Sequence, residues 1–211
     1  ALDYDAFFSS MREALPWAQY IDLTGSLQIE DYYRTDLHWR QDRLLPAAKT
    51  LAQAMGASVE EAFETQTLAR DYYGLYYGYA ALPVKPETIS YLTSDTIESA
   101  VVTNFETNRT GAVYDMEKAA GKNPYEMFLS GSVSLLTIEN PNAKTDRELV
   151  IFRDSFASSL APLLLDGYAK ITLVDIRYLP SVRLGSFLTF TDQDVLFLYS
   201  VNVLNNSETI K

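Results

Sequence analysis

Cysteine is absent from the 211 residues, and histidine occurs once, at position 38. The absence of cysteine excludes disulfide bonds, thiolate metal sites and a cysteine nucleophile. A lone histidine argues against zinc, and the sequence contains neither a calcium-binding Asp-x-Asp-x-Asp-Gly loop nor a glycine-rich phosphate loop. We therefore expect no metal and no cofactor. Any imidazole that serves as a general base near neutral pH must be His38.

Basic runs and long apolar runs are missing as well. Lys and Arg number 17 against 28 Asp and Glu, for a formal charge of -11, so nucleic acid and anionic membrane surfaces are poor partners. No apolar stretch approaches the roughly 20 residues of a membrane-spanning helix, and there is no signal-peptide pattern. The sequence opens at Ala1, which is typical of a processed piece. We expect membrane contact only through an N-terminal anchor that this sequence lacks.

The residues that are present predict a single α/β domain over 1–211. Hydrophobic residues make up 47% of the chain, enough for a sizeable core. Short strands that alternate with helices predict a mainly parallel sheet that is covered on both faces. The predicted strands are 148–152, 170–175 and 194–199, and the predicted helices are 3–14, 41–55 and 155–165.

The segment 63–115 has a different character. Five tyrosines cluster around two glycines in it, and the polar stretch 106–110 separates two β-prone runs in the pattern of a hairpin. We interpret the segment as a β-rich insertion in the domain. Earlier in the chain, the short apolar run 20–23 is predicted to be a strand.

Ser155 stands where the strand at 148–152 meets the helix at 155–165. In a parallel sheet this turn lies at the carboxyl edge, and the start of the helix would supply free N–H groups and a partial positive charge. A serine nucleophile with an oxyanion site needs these features. Asp154 and Ser155 are also favoured residues for capping a helix, so a purely structural role is the alternative.

A serine nucleophile needs a base, and the base needs a carboxylate to hold its tautomer. Asp36 and His38 are two residues apart. Such residues can face one side in a loop, whereas in a helix they would lie about 200° apart. The polar and aromatic segment 31–39 precedes the predicted helix 41–55 and is predicted to be a loop, which permits the Asp36 and His38 side chains to pair. The alternative is that His38 stacks on Trp39 or is hydrogen-bonded in the core, while Asp36 caps the helix.

Two further side chains are predicted at the same edge of the sheet. Arg177 follows the strand at 170–175, and Tyr199 ends the strand at 194–199. Ligands of open α/β sheets bind at this edge, where an arginine can hold a carboxylate or polarise an acyl oxygen. The alternatives for Arg177 are a salt bridge with Asp175 and a plain surface position.

Four segments together resemble the DHHW proteins, a group of bacterial envelope proteins related to the SGNH-hydrolase-like domains of alginate O-acetylation. The first and third segments are the most specific, and residues 63–115 match only loosely. The segments are 31–39 (DYYRTDLHW), 125–131 (YEMFLSG), 154–162 (DSFASSLAP) and 174–178 (VDIRY). The resemblance implies an SGNH-hydrolase-like, three-layer α/β fold.

The resemblance also implies an activity. In the O-acetylation relatives an Asp-x-His motif precedes the serine, which corresponds to Asp36, His38 and Ser155 here. By this likeness Ser155 attacks an acyl group, His38 is the base, Asp36 orients it, and Arg177 and Tyr199 line the site. The implied protein is a bacterial cell-envelope esterase or O-acyltransferase, with acetyl as the expected group. We expect a carbohydrate or cell-wall polymer as substrate, at the extracellular face, with the protein secreted or membrane-anchored.

Two residues depart from the family pattern. Leu37 replaces the first of two adjacent histidines, and Arg153 replaces the glycine before Asp-Ser. The three triad positions are retained, but a side chain at position 153 alters the turn that would form the oxyanion site. These departures favour the alternative, a non-catalytic envelope protein that binds carbohydrate or acts as a scaffold while it keeps the fold. The sequence does not predict an oligomeric state.

Overall fold

The computed structural model describes residues 2–60, 62–80, 83–206, 208 and 210. Its strands are β1 (Glu64–Thr67), β2 (Ser90–Thr93), β3 (Val101–Asn104), β4 (Arg109–Gly111), β5 (Leu135–Glu139), β6 (Glu148–Arg153), β7 (Lys170–Val174) and β8 (Asp194–Leu198). The α-helices are α1 (Tyr4–Ala14), α2 (Leu45–Met55), α3 (Leu75–Ala80), α4 (Asp95–Ser99), α5 (Met116–Ala119), α6 (Ala157–Leu160) and α7 (Val201–Asn205). Short 3₁₀ helices cover Thr24–Ser26, Ile29–Asp31, Gln41–Arg43, Pro124–Met127, Ala161–Gly167 and Ser181–Ser186. The predicted α/β class is confirmed.

The central sheet has six strands in the order β4-β3-β5-β7-β6-β8. β6 pairs in parallel with both β7 and β8. These three strands are the ones that the apolar runs predict. β5 is antiparallel to β7, and the β3–β4 hairpin extends the antiparallel half. The prediction of a mainly parallel sheet is therefore wrong, and the sheet is mixed. The physical reason is that β5 enters the sheet where β7 ends, with Leu135 opposite Val174, and so runs in the opposite direction.

Alternation of side chains along β6 divides the core. Leu149 and Ile151 belong to the larger apolar cluster, to which α2 also contributes. Val150 and Phe152 belong to a second cluster, with Leu179, on the opposite face. Since successive side chains of a strand point to opposite faces, the parallel half of the sheet is buried on both sides.

The predicted helices differ from the observed ones mainly at prolines. Helix α1 confirms the prediction at 3–14. Gly56 follows α2 with a φ of 64°, the left-handed backbone conformation that commonly terminates an α-helix. The predicted helix 155–165 is divided into α6 and a 3₁₀ helix with Pro162 near its start, where the missing proline N–H removes a helical hydrogen bond. The strand predicted at 20–23 is irregular backbone instead.

The segment interpreted as a β-rich insertion, 63–115, contains β1 to β4, four of the eight strands found among the described residues. β1 and β2 form an antiparallel pair of their own, and β3 and β4 form a hairpin where one is predicted. Its second strand begins at Arg109, inside the stretch 106–110 that is predicted to separate the two strands. That hairpin joins the central sheet through β5. The tyrosine-rich part of the segment folds largely into α3 rather than into strands.

Candidate active site

The carboxyl ends of β6, β7 and β8 meet at one edge of the sheet. The register places Phe152 opposite Val174, and Arg153 opposite Leu198. Ser155 follows β6 by two residues, in the turn before α6. It therefore lies at the edge where ligands of open α/β sheets bind.

His38 lies between a hydroxyl and a carboxylate at this edge. Its Nε2 is 2.8 Å from Ser155 Oγ, although 117 residues separate the two along the chain. Its Nδ1 is 2.5 Å from Asp36 Oδ1, to which the His38 backbone N–H also donates at 3.0 Å. The structure thus brings Asp36, His38 and Ser155 together in the order that proton transfer from a serine requires.

The charge of Asp36 determines the tautomer of His38. Burial raises the pKa of Asp36, but hydrogen bonds from the His38 ring and the Leu75 amide outweigh burial and hold that pKa at about 2. The carboxylate is therefore ionised at neutral pH and can only accept hydrogen bonds. His38 Nδ1 must donate to it, which leaves Nε2 free to accept the proton of Ser155.

The loop that carries Asp36 is held by contacts from distant segments. The Leu75 amide donates to Asp36 Oδ2 at 2.9 Å, and the Gly74 amide donates to Thr35 Oγ1 at 3.1 Å. Glu87 accepts from the Thr35 amide at 2.9 Å and from its hydroxyl at 2.8 Å. These partners lie 39 to 52 residues away along the chain, so no local pattern in the sequence reveals them.

A second set of contacts joins the His38 loop to α6. Trp39 Nε1 donates to Ser159 Oγ at 2.9 Å, and the hydroxyl of Tyr125 lies 2.9 Å from the same oxygen. The Tyr125 ring stacks on His38, with centroids 4.0 Å apart and an interplanar angle of 16°. The loop with the base and the helix after the serine are therefore fixed to one another.

The amides that follow Ser155 are already bonded. The Phe156 N–H donates to Asp154 Oδ1 at 3.0 Å. The Ala157 N–H donates to the Asp154 carbonyl at 3.3 Å, and the Ser158 N–H donates to the Ser155 carbonyl at 3.2 Å. The expectation of free N–H groups is therefore wrong for these three amides, because the turn uses them itself.

A cavity of about 120 Å³ opens beside His38 and Ser155. This volume is well below the roughly 300–1,000 Å³ of pockets that enclose drug-sized ligands, so the cavity suits a small group. Its lining residues are His38, Asn123, Tyr125, Glu126, Phe128, Gly131, Ser132, Ser155 and Ser158.

The backbone between two cavity-lining residues, Phe128 and Gly131, is strained. Leu129 and Ser130 have φ values of 55° and 59°, in a region of the backbone angles that residues other than glycine rarely adopt. The Leu129 amide donates to the Val113 carbonyl at 3.1 Å, and the Ser130 hydroxyl donates to Asp115 at 2.7 Å. Such strain, about 1–3 kcal/mol per residue, persists only where surrounding contacts fix the backbone.

Arg153, which replaces the glycine of the family pattern, is fully buried. Its Nη1 donates to Ser158 Oγ at 2.9 Å, and its Nη2 donates to the Val133 carbonyl at 2.9 Å. Burial lowers the pKa of the guanidinium, and the Asp175 carboxylate opposes that effect. The side chain runs into the interior, so it does not occupy the cavity beside the serine.

Arg177 and Tyr199 lie near the same edge, but neither is among the cavity-lining residues. Arg177 donates through Nε and Nη2 to the Asp175 carboxylate, at 2.9 and 2.6 Å, and this pairing raises its pKa. The Tyr199 hydroxyl is buried and has no hydrogen-bond partner among the described residues. Arg177 thus forms the salt bridge named as its alternative, and a substrate-binding role for either residue stays a prediction.

The described ranges contain no group of three or more His, Asp or Glu side chains placed to hold a metal ion. We therefore assign no residue of the site to a metal or cofactor. In the same part of the chain, no helix combines the length and the apolar character needed to cross a membrane.

Comparison with solved structures shows relatives of the fold. A DHHW family protein from Eubacterium siraeum is similar to this chain with a TM-score of 0.62 and 26% sequence identity, over 85% of this chain and 62% of that one. PatB1 of Bacillus cereus, in a structure with a sulfonyl adduct, is similar with a TM-score of 0.60 and 18% identity, over 92% of this chain and 67% of that one. A further structure of PatB1 has a TM-score of 0.59 at 18% identity, over 83% of this chain and 64% of that one.

At 18% identity the likeness to PatB1 shows the fold alone. The chain spans 62% of the length of the DHHW protein. No protein-family model matches the chain, and no curated protein sequence matches it. The resemblance to the DHHW proteins that the four motifs indicate is confirmed by this structural similarity.

Proposed function

We propose that this chain is a serine esterase or O-acyltransferase that cleaves or transfers a small acyl group on a carbohydrate, with acetyl as the expected group. The observation that carries the proposal is His38, whose ring nitrogens lie 2.5 Å from Asp36 and 2.8 Å from Ser155. A carboxylate on Nδ1 and a serine hydroxyl on Nε2 is the arrangement that lets an imidazole take the proton of a serine. The small cavity beside this triad supports a small acyl group.

In the proposed reaction, His38 Nε2 removes the proton of Ser155 as its oxygen attacks the acyl carbon. Asp36 holds the imidazole and stabilises the imidazolium that forms. The leaving hydroxyl takes the proton from His38, and the acyl group remains as an ester on Ser155. Water or a sugar hydroxyl then attacks this ester with His38 again as the base, which restores the serine.

The proposed place of action is the extracellular face of a bacterial envelope, with a carbohydrate or cell-wall polymer as substrate. The likeness to a DHHW family protein supports this setting. The formal charge of -11 favours a neutral polymer over a polyanion. The sulfonyl adduct in one PatB1 structure suggests a probe, because sulfonyl groups react with activated nucleophiles.

A second candidate function is carbohydrate binding without turnover, as a non-catalytic envelope or scaffold protein. The exposed tyrosines around α3 favour it, because their rings can stack on a sugar. Tyr73 and Tyr77 have ring centroids 4.6 Å apart, and Tyr76 and Tyr79 are 47% and 80% exposed. Helix α3 starts at Leu75, whose amide donates to Asp36, so the tyrosine-bearing helix begins beside the carboxylate of the triad.

The proposal is tested by turnover of p-nitrophenyl acetate and of an acetylated oligosaccharide. The parent chain is compared with Ser155→Ala and His38→Ala, and the exposed Ser181→Ala serves as a matched control. Each triad variant is expected to lose about 10³-fold or more in kcat, because triad members act as a unit. Equal activity in the parent and both variants would refute the triad. Oligosaccharide binding without turnover in the parent would favour the second candidate.

A further inference from the structure

The proposed reaction needs a donor for the negative charge that develops on the acyl oxygen, and Ser158 offers one. An oxyanion site requires donors held in place before the reaction. The amides of Phe156, Ala157 and Ser158 are engaged within the turn. The Ser158 hydroxyl, in contrast, lines the same cavity as Ser155 and His38.

Ser158 is a buried residue of the cavity wall rather than an exposed surface serine. It is 2% exposed and lies on α6, three positions after Ser155. In a helical turn residues three apart share a face, which explains why both hydroxyls reach one cavity. Within the described residues, Ser158 Oγ accepts from Arg153 and donates to no protein atom.

Arg153 fixes the direction in which Ser158 donates. From the interior, Arg153 Nη1 donates to Ser158 Oγ with an N–O distance of 2.9 Å, while Nη2 donates to the Val133 carbonyl at 2.9 Å. Guanidinium nitrogens can only donate, so the hydroxyl must accept on that side. Its own hydrogen is left to point elsewhere, and the open side is the cavity. A buried cation also polarises the hydroxyl and strengthens it as a donor.

We propose that Ser158 donates its hydroxyl hydrogen to the oxyanion of the tetrahedral intermediate, and that Arg153 is the positioning residue that holds Ser158 for this task. The bond from Ser155 Oγ to the acyl carbon forms as the serine proton moves to His38. The carbonyl electron pair moves to the acyl oxygen, which accepts from Ser158. When the carbonyl re-forms, the bond to the leaving oxygen breaks and that oxygen takes the proton from His38. The inference rests on the proposed function and deepens it.

Binding of phenylboronic acid tests the donor independently of turnover. Boron forms a tetrahedral, negatively charged adduct with an activated serine oxygen, and a boron-bound oxygen then occupies the oxyanion position. Ser158→Ala is expected to weaken binding about tenfold or more, since a hydrogen bond to a charged group is lost. Ser155→Ala should abolish binding, and Ser181→Ala should leave it unchanged. In acetyl-ester turnover, Ser158→Ala should lower kcat by about 100-fold.

The outcomes separate the two proposals. Ser155-dependent boronate binding that is equally tight in Ser158→Ala overturns the donor role and leaves the triad intact. Boronate binding that does not depend on Ser155 overturns the nucleophile and the donor together. Boronate binding that depends on both serines supports the donor, even where a chosen ester is not turned over.

A double-variant cycle tests the positioning role of Arg153. Arg153→Lys keeps the charge but not the planar geometry, and should weaken boronate binding in the presence of Ser158. In the Ser158→Ala background the same change should have no further effect, because Arg153 would then have no hydroxyl to hold. Equal weakening in both backgrounds would assign Arg153 a general structural role and overturn this part of the proposal. Thermal melts followed by circular dichroism confirm that each variant is folded.

Discussion

Asp36 links the chemistry of the site to the stability of the chain. Its carboxylate accepts hydrogen bonds from the His38 ring N–H, the His38 amide and the Leu75 amide. These donors favour the ionised form over the protonated one, which overcomes the effect of burial and holds the pKa at about 2, against 3.8 as the ordinary value. The same contacts that set the tautomer of His38 therefore make folding depend on pH.

The first prediction concerns this pH dependence. A depressed carboxyl pKa stabilises the folded state above pH 4, and the stabilisation is lost as the pH falls toward 2. The shift from 3.8 to about 2 corresponds to about 2 kcal/mol. The free energy of unfolding, measured in urea, should therefore be higher for the parent chain than for Asp36→Asn. This difference between the two proteins should be about 2 kcal/mol larger at pH 5 than at pH 2. A difference that stays constant over this range would contradict the role of these hydrogen bonds.

At the scale of the elements, the α3 segment holds the loop that carries Asp36. A Cβ atom placed on Gly74 would lie 2.3 Å from the Thr35 carbonyl oxygen and 2.4 Å from Asp36 Cβ. Glycine is needed here because the two backbones touch, not because the turn has an unusual φ. A tyrosine-rich segment that reads as an insertion is therefore in direct contact with the proposed triad.

The second prediction compares two glycines of this segment. Gly74→Ala should destabilise the chain by about 1–3 kcal/mol through the clash, and should lower kcat about 100-fold by displacing Asp36. Gly78→Ala is the matched control, since a Cβ there meets nothing within 4 Å and lies in helix α3. It should stabilise the chain by roughly 0.5–1 kcal/mol and leave turnover unchanged. Urea unfolding and ester turnover measure both effects, and equal behaviour of the two variants would contradict the tight contact.

The sequence predicts those parts of the site whose residues lie close together along the chain. Ser155 at a strand-to-helix turn and the Asp36–His38 pair are local patterns, and the structure has both. The antiparallel course of β5 and the tethering of Thr35 by Glu87 depend on segments far apart in sequence. The commitment of the Phe156 amide to Asp154 depends on the turn geometry, which composition alone does not fix.

The direction of Arg153 shows the same limit at a single residue. Its position before Asp-Ser predicts interference with the turn, because glycine usually stands there in the resembled family. The structure buries the side chain against Val133 and Ser158 instead. Partner atoms in the segment just before β5 and on α6 decide that direction, and their proximity is a property of the folded sheet edge.

For the whole molecule, the third prediction concerns the single domain over 1–211, which stays a prediction. Trp39 is 5% exposed and shares the large apolar cluster with residues of β6 and β7, whereas Trp17 is 69% exposed. In a Trp17→Phe variant, tryptophan fluorescence, excited selectively over that of the tyrosines, reports on Trp39 alone. Its urea transition should coincide with that of far-UV circular dichroism, as expected for one cooperative unit. An earlier fluorescence transition would show that the site unfolds apart from the sheet.

The charge of the whole molecule bears on its substrate. With 28 acidic and 17 basic residues the chain repels polyanions. The fourth prediction is that turnover of a neutral acetylated oligosaccharide exceeds that of a uronate-rich one of equal length, with the gap narrowing as salt screens the repulsion. Comparison of kcat/KM at low and at high ionic strength measures this. A preference for the anionic polymer at low salt would contradict the prediction.

The central claim is that His38, held by Asp36, activates Ser155 as a nucleophile. Its most direct test is to treat the intact chain with a sulfonyl fluoride and map the adduct by mass spectrometry. The account predicts a single adduct on Ser155, formed at least about 100-fold more slowly in His38→Ala because the serine then lacks its base. An adduct on another residue, or labelling of Ser155 at an equal rate in His38→Ala, would contradict it.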